Sequence, residues 1–497
     1  MVANELTTEI DAETDLADQM THEATDEETV VVDRGAWLAL ATGSLAFVLG
    51  TVNVTVTNVG YNDILASFPG AGTSLTGWIL TGYSLTFAST MLLAGRLADR
   101  YGRLTVFRIG LIGLLISSLA AGLAPSVILL VVARGVQGIC GALAVPASLG
   151  LVLPRFPTSK QATVVGIWAS VGMIASGLAP VLAATALSLA TWRWMYLTLV
   201  PITVLGLVGA KLFMTETAER DRSRPLDLLG IVMGSAAMFL IVYATLRGPS
   251  AGWGTPTVAG GFVAAIVLIP LFLRRSARHP EPLFDPRLFE VRSFAVSNLA
   301  VGLSMVGAFT SWVLWPIFLI NVWGYSVWGV GLAFLISPIV SGLVAILGGR
   351  WADAHGFRGI MTSAAAVATL GHLWALAFLD EQVRFWFAFF PVTVFFGFGM
   401  GILASLLNAA ALRDIASNAI ATANGVHQAL RYAVGGMGTA LALAVLNGAH
   451  DVWRYDTMWL ILGIAQLLVV PLMLFGYPDR AGESSDVAPD QVSPSAR

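Results

Sequence analysis

Apolar runs of roughly twenty residues recur along the chain with short polar turns between them, and this repeat dominates the sequence. A helix needs about 20 apolar residues to cross a hydrocarbon layer about 30 Å thick. By that measure the pattern predicts fourteen spans, near 36–61, 75–97, 105–124, 126–153, 161–189, 194–214, 227–247, 256–274, 293–320, 327–350, 358–379, 384–411, 420–447 and 456–477. The expected fold class is therefore an all-α polytopic membrane protein. One short segment occurs twice: Gly95-Arg96-Leu97-Ala98-Asp99-Arg100-Tyr101-Gly102-Arg103 after the second span is echoed by Gly349-Arg350-Trp351-Ala352-Asp353-Ala354-His355-Gly356 after the tenth. Its placement divides the chain into a six-helix bundle over 36–214, linkers and two additional helices over 215–292, and a second six-helix bundle over 293–477. Residues 1–35 read as a disordered acidic arm and 478–497 as a disordered polar tail.

Composition agrees with the pattern. Only 11% of the 497 residues are charged and 56% are apolar, against about 25% charged in soluble domains, which excludes a soluble globule. The net charge of −3 averages two unlike parts, because the first 34 residues hold eleven acids and one Arg. The rest carries 26 basic and 19 acidic residues, a modest excess that gives no reason to expect nucleic acid as a partner. Arg and Lys divide 21 to 4 between the two sides, with Arg193, Arg247, Arg384 and Arg454 on the poorer one; the positive-inside rule then places both termini in the cytoplasm. Twenty-five Arg against two Lys, with abundant Ala and Gly, points to a GC-rich bacterial genome and hence to a bacterial inner membrane. The single Cys140 excludes an intrachain disulfide and Cys-based metal sites. No metal, cofactor or enzyme motif is found; Gly397-Phe398-Gly399-Met400-Gly401 lies inside a span and reads as helix packing. The chain is expected to be a monomer whose partners are membrane lipids.

Polar residues inside the spans carry the candidate chemistry. Arg134 lies about nine residues, or roughly 13 Å, inside the fourth span. Either it faces a wet cavity, or it bonds carbonyls and amides of the first helix; intramembrane charge favours the cavity. Gln137 follows on the same face. In the thirteenth span Asn424, His427, Gln428 and Arg431 share a face at three- and four-residue spacing. His427 reads equally as a titrating group or as a structural one, whereas His372 reads as a packed core residue. No carboxylate falls deep in a span, so no embedded acid offers itself for proton coupling. Tyr83, Trp168, Trp312 and Trp315, with Phe309, supply aromatic walls suited to amphipathic or lipid-like molecules. With Arg134 and Arg431 as the deep charges, neutral or anionic amphiphiles are expected over lipophilic cations. Duplicated six-helix halves are a transporter architecture with a site between them. The repeated turns, with Gly95, Asp99, Arg100, Gly102 and Arg103 in one and Gly349, Asp353 and Gly356 in the other, can hold one side shut and release it.

Gly95–Arg103 resembles the signature loop of the major facilitator superfamily. Arg134-Gly135-Val136-Gln137-Gly138 resembles its fourth-helix motif. Three further stretches resemble its fourteen-helix drug–proton antiporter branch: Trp78-Ile79-Leu80-Thr81-Gly82-Tyr83, Thr191-Trp192-Arg193-Trp194, and Asn424-Gly425 with Arg431 and Gly435-Gly436. The resemblance implies a facilitator-type fold, multidrug-efflux-like export by alternating access, and a central substrate site that includes Asn53 and Asn58. A lipid or hydrophobic-metabolite transporter is the alternative, and a membrane receptor or scaffold a more distant one. The sequence departs from the branch at two places. Asn53 stands where the first helix usually carries Asp. Ala179-Pro180-Val181-Leu182-Ala183-Ala184 replaces a Gly-Pro followed by a Gly pair.

Overall fold

Every regular element among the described residues is helical, because a backbone inside lipid has to satisfy its own polar groups. The computed structural model describes residues 33–70, 73–189, 191–216, 227–279, 285–416, 419–446 and 452–478. Nearly all of the expected acidic arm and polar tail lies outside these. The first bundle comprises α1 (Arg34–Val59), α2 (Thr73–Tyr101), α3 (Arg103–Gly122), α4 (Val127–Val152), α5 (Gln161–Leu189) and α6 (Leu199–Leu212). A short helix at Arg193–Leu197 leads into α6. Next come α7 (Leu228–Ala251) and α8 (Pro256–Ser276). The second bundle comprises α9 (Arg292–Asn321), α10 (Val327–His355), α11 (Phe357–Phe378), α12 (Phe390–Leu412), α13 (Ile420–Leu446) and α14 (Val452–Pro471).

Among the described residues, eleven helices are long and apolar enough to cross a membrane, counting Arg193–Leu212 as one. The helices outside that set are α2, α7 and α13. Of these, α2 is interrupted by Thr, Ser and Gly, which lowers its apolar content. The outer faces are apolar: on α8, Val263, Ile266 and Val267 are 62%, 68% and 53% exposed. A soluble protein rarely presents such a stripe to solvent.

Two turns are fixed by glycine. Gly102 between α2 and α3 has φ 96°, and Gly356 between α10 and α11 has φ 83°. That region is readily open only to a residue without Cβ. The repeated motif thus encodes the same left-handed corner twice. The bundles meet along two seams, α2 with α13 and α5 with α10, while α7 leans on α2 and α13 and carries α8 outside them.

Asp227 precedes α7 and ties this hairpin together. Its carboxylate caps α7 by accepting from Gly230 N at 2.8 Å, and it pairs with Arg275 of α8 at 2.7 Å. Burial pushes the Asp227 carboxyl up, but the Arg275 and Gly230 donors prevail and hold it below the ordinary carboxylate range.

Candidate functional site

The repeated acids each reach across a seam to a helix N-terminus of the other bundle. At the end of α2, Asp99 accepts from the Thr422 amide at 3.1 Å and from the Thr422 hydroxyl at 2.6 Å, both at the start of α13. At the end of α10, Asp353 accepts from the Ala162 and Thr163 amides of α5 at 2.9 and 2.8 Å, and from the Thr163 hydroxyl. Carboxylates suit these positions because the first amides of a helix lack partners and carry the positive end of its dipole. Each bundle gives one acid and one helix end, so the two contacts form a reciprocal pair of latches on the face that carries the Gly102 and Gly356 turns.

Small residues let the seams close. A Cβ on Gly166 of α5 would stand 2.5 Å from Ala345 O of α10, and one on Gly425 of α13 would stand 2.9 Å from Met91 O of α2. These two crossings are counterparts in the two halves. Gly349 is held against Ala162 in the same way, and Gly95 lies beside Gly425. Arg103 stabilises the α2–α3 turn itself. It is fully buried, donates to Gly150 O at 2.7 Å, and lies 3.5 Å from Asp99. Glu216, beyond α6, caps α3 by accepting from Arg103 N at 2.9 Å. Arg100 lies over the Tyr101 ring at 5.5 Å, away from the latch contacts.

Between the bundles lies a narrow cleft with a free volume of about 50 Å³. The first bundle lends it Met173 of α5. The second supplies Met305, Ala308, Phe309 and Trp312 of α9, Ser337, Pro338 and Ser341 of α10, Phe396, Met400 and Ala404 of α12, and Arg431 of α13. Its walls are aromatic and thioether surface, which adapts to varied apolar shapes. Trp312 is 42% exposed and stacks on Phe309. An aromatic series runs from there into the first bundle: Phe309 to Tyr432 at 5.8 Å, Tyr432 to Phe87 at 5.0 Å, and Phe87 to Tyr83 at 5.5 Å.

Tyr83 leads to Arg134, which the structure places inside the first bundle and not on the wall of this cleft. Its Nη1 donates to Asn53 Oδ1 and to Gln137 Oε1 (2.9 Å), and its Nε donates to Ile79 O at 3.1 Å. The guanidinium also lies over the Tyr83 ring at 4.7 Å. Gln137 in turn donates to Ser118 Oγ at 3.1 Å. A lone intramembrane Arg is costly, and here four helices collaborate to satisfy it. Gly138 permits this, since a Cβ there would stand 2.3 Å from Tyr83 O, so α4 has to press on α2 backbone to backbone. Asn53 keeps the hydrogen bond that an acid would make without bringing a titratable proton.

Of the other expected site residues, Trp168 is buried against Phe47 at 4.3 Å and donates to Ser148 Oγ at 3.2 Å. Trp315 is buried among Phe334, Phe389 and Phe396. Both belong to the core, whereas Phe309, Trp312 and Arg431 of the expected set line this cleft. His427 Nδ1 lies 3.2 Å from Asn298 Oδ1 on α9. Asn424 and Gln428 are buried with both side-chain polar atoms unpaired. The side chain of Asn58 falls outside the described residues. His372 is buried in the second bundle, as expected of a core residue. Sequence reasoning missed Thr163, Thr422, Glu216 and the methionines of the cleft. The two Thr residues carried a signal: each opens the fifth helix of its half.

Residues 38–439 match the model of the family described as the Major Facilitator Superfamily. The chain is 30% identical over 433 residues to the methylenomycin A resistance protein of Streptomyces coelicolor, covering 86% of this chain and 89% of that one. It is 27% identical over 436 residues to the puromycin resistance protein pur8 of Streptomyces alboniger (85% and 84%), and 28% identical over 425 residues to the tetracenomycin C resistance and export protein of Streptomyces glaucescens (82% and 74%). Among solved structures, the human organic anion transporter MFSD10 superposes with a TM-score of 0.64 at 14% identity, covering 88% of this chain and all of that one.

Proposed function

This chain belongs to the Major Facilitator Superfamily, and from that premise we propose that it is an efflux transporter that exports amphipathic small molecules by alternating access. The observation that carries the proposal is the apolar cleft between the bundles together with the paired acid-to-helix latches on one face. With both latches made, that face is shut and the structure corresponds to a state closed there. Releasing Asp99 and Asp353 and parting the glycine seams would let the bundles rock and expose the cleft on the latched face. The Arg and Lys asymmetry assigns the latched face to the cytoplasm, with both termini there, in a bacterial inner membrane. On this reading α2, α7 and α13 also cross the bilayer, making fourteen spans, and the protein acts as a monomer without cofactor. The resistance and export functions named for the Streptomyces relatives support a small-molecule substrate and favour it over a lipid.

The test is accumulation of amphipathic dyes and antibiotics in a bacterium stripped of its own pumps. Cells expressing the protein are expected to hold less of at least one class than cells expressing an Asp99→Asn/Asp353→Asn double variant at equal membrane abundance. Equal accumulation for every compound class would overturn the assignment.

A further inference from the structure

We propose that Arg431 is an oxyanion subsite in the cleft, and that the exported molecules carry a carboxylate, sulfonate or phosphate on an aromatic or alkyl body. The inference rests on the efflux reading above and narrows its substrate class.

Two deep arginines behave oppositely. Arg134 is saturated by Asn53, Gln137, a backbone carbonyl and an aromatic face, as a structural buried cation has to be. Arg431 has none of this. It takes part in no ion pair among the described residues, and its Nε is buried without an acceptor. Among the described residues that line the cleft it is the single charged one, and none of them is a carboxylate. Of the two serines there, Ser341 already donates to Gly397 O at 2.9 Å. The neighbouring His427 faces Asn298 and supplies no negative charge.

An unpaired guanidinium in an apolar wall is penalised by desolvation, and a bound oxyanion removes that penalty while accepting two parallel N–H bonds. The same cleft is lined by Met305, Phe309, Trp312, Phe396 and Met400, which suit the apolar body of the same molecule. A cationic drug in this position would instead meet a like charge in a medium of low dielectric. The cleft therefore selects by the sign of the head group and is permissive about the body.

The experiment uses the full chain in proteoliposomes and three probes with one body: 4-(2-naphthyl)butanoate, its primary amide and the corresponding amine. Binding is read from tryptophan fluorescence, and transport from uptake. In wild type the carboxylate is expected to bind at least about tenfold tighter than the amide, a difference of about 1.4 kcal/mol, with the amine weakest. Arg431→Gln should abolish that preference while amide affinity stays within about twofold, which also reports that the variant is folded; Arg431→Lys should keep part of it. An amine that binds as well as the carboxylate, or a carboxylate preference that survives in Arg431→Gln, overturns the subsite and leaves efflux standing. If no probe binds or moves, both readings fall.

Discussion

Replacing Gly349 by alanine is expected to hold the transporter open on its latched face without unfolding it. A Cβ at this position would stand 2.6 Å from Ala162 O and 2.8 Å from Thr163 Cα. Both are backbone atoms of α5, so no side-chain rotation can relieve the contact. Overpacking of this kind costs about 1–3 kcal/mol. The penalty falls on the state in which α5 and α10 touch and is relieved where that seam parts. The closed population should then drop by about 5- to 150-fold relative to the open one. The assay is alkylation of Ser170→Cys, a buried seam position whose hydroxyl bonds Gly342 O at 2.6 Å, in a Cys140→Ala background. Labelling from the latched side should accelerate by the same factor and transport should fall, while the melting temperature stays nearly constant. Gly359→Ala is the control, since a Cβ there meets nothing within 4 Å. Wild-type labelling and transport in Gly349→Ala would refute the reasoning. A lowered melting temperature with unchanged labelling would show that the glycine serves folding instead.

Asp99→Asn and Asp353→Asn each weaken charge-assisted bonds worth about 1.5–3 kcal/mol, so transport rate should change while equilibrium substrate binding to the same purified variant stays within a few-fold; loss of binding in a folded variant would move these acids out of the latch. Arg134→Met strands buried acceptors on Asn53, Gln137 and Ile79, at about 1–3 kcal/mol each, and should lower the melting temperature in detergent while leaving substrate affinity intact; a fall in affinity at unchanged melting temperature would place Arg134 in the transport path. Asp227 supplies a pH dependence: its carboxyl is depressed in the folded state, so its contribution is fully present above the unfolded value of about 3.9 and is lost as pH falls through the lower folded value. Melting of wild type relative to Asp227→Asn should show a constant gap from neutrality to about pH 5 that shrinks below about pH 4, and a gap that widened with acid would contradict the pairing with Arg275.

The helices were legible because lipid allows few alternatives to a helix, and Gly102 and Gly356 were legible because their corners need a residue without Cβ. The acids of the repeat pointed to a gate, yet their partners were harder to see: Asp99 and Asp353 accept from three backbone amides, which leave no mark in side-chain identity, and from two Thr hydroxyls marked only by their place at the start of the fifth helix of each half. The two arginines look alike in sequence, each on a polar stripe at helical spacing. What separates them is whether neighbouring helices bring acceptors, and that depends on the close approach of α4 to α2 at Gly138 and on Asn53 being near enough to reach. Trp168 and Trp315 likewise differ from Trp312 only in which side of their helices meets another helix. The cleft itself is built largely from Met, Phe, Ala and Ser, residues too common in any span to announce a site.

The reciprocity of the two latches also sets a timetable for making the molecule. Asp353 finds Ala162 and Thr163 already in place, 191 and 190 residues behind it. Asp99 has to wait for Thr422, 323 residues further on. At a synthesis rate of roughly 5–20 residues per second that wait is about 15 seconds to a minute. Throughout that interval the Asp99 carboxylate has Arg103 of its own bundle beside it but lacks its partner across the seam, and the face it guards can be sealed on one seam at most. Closure of that face is thus one of the last events of biosynthesis, and a chain cut short before α13 can never complete it.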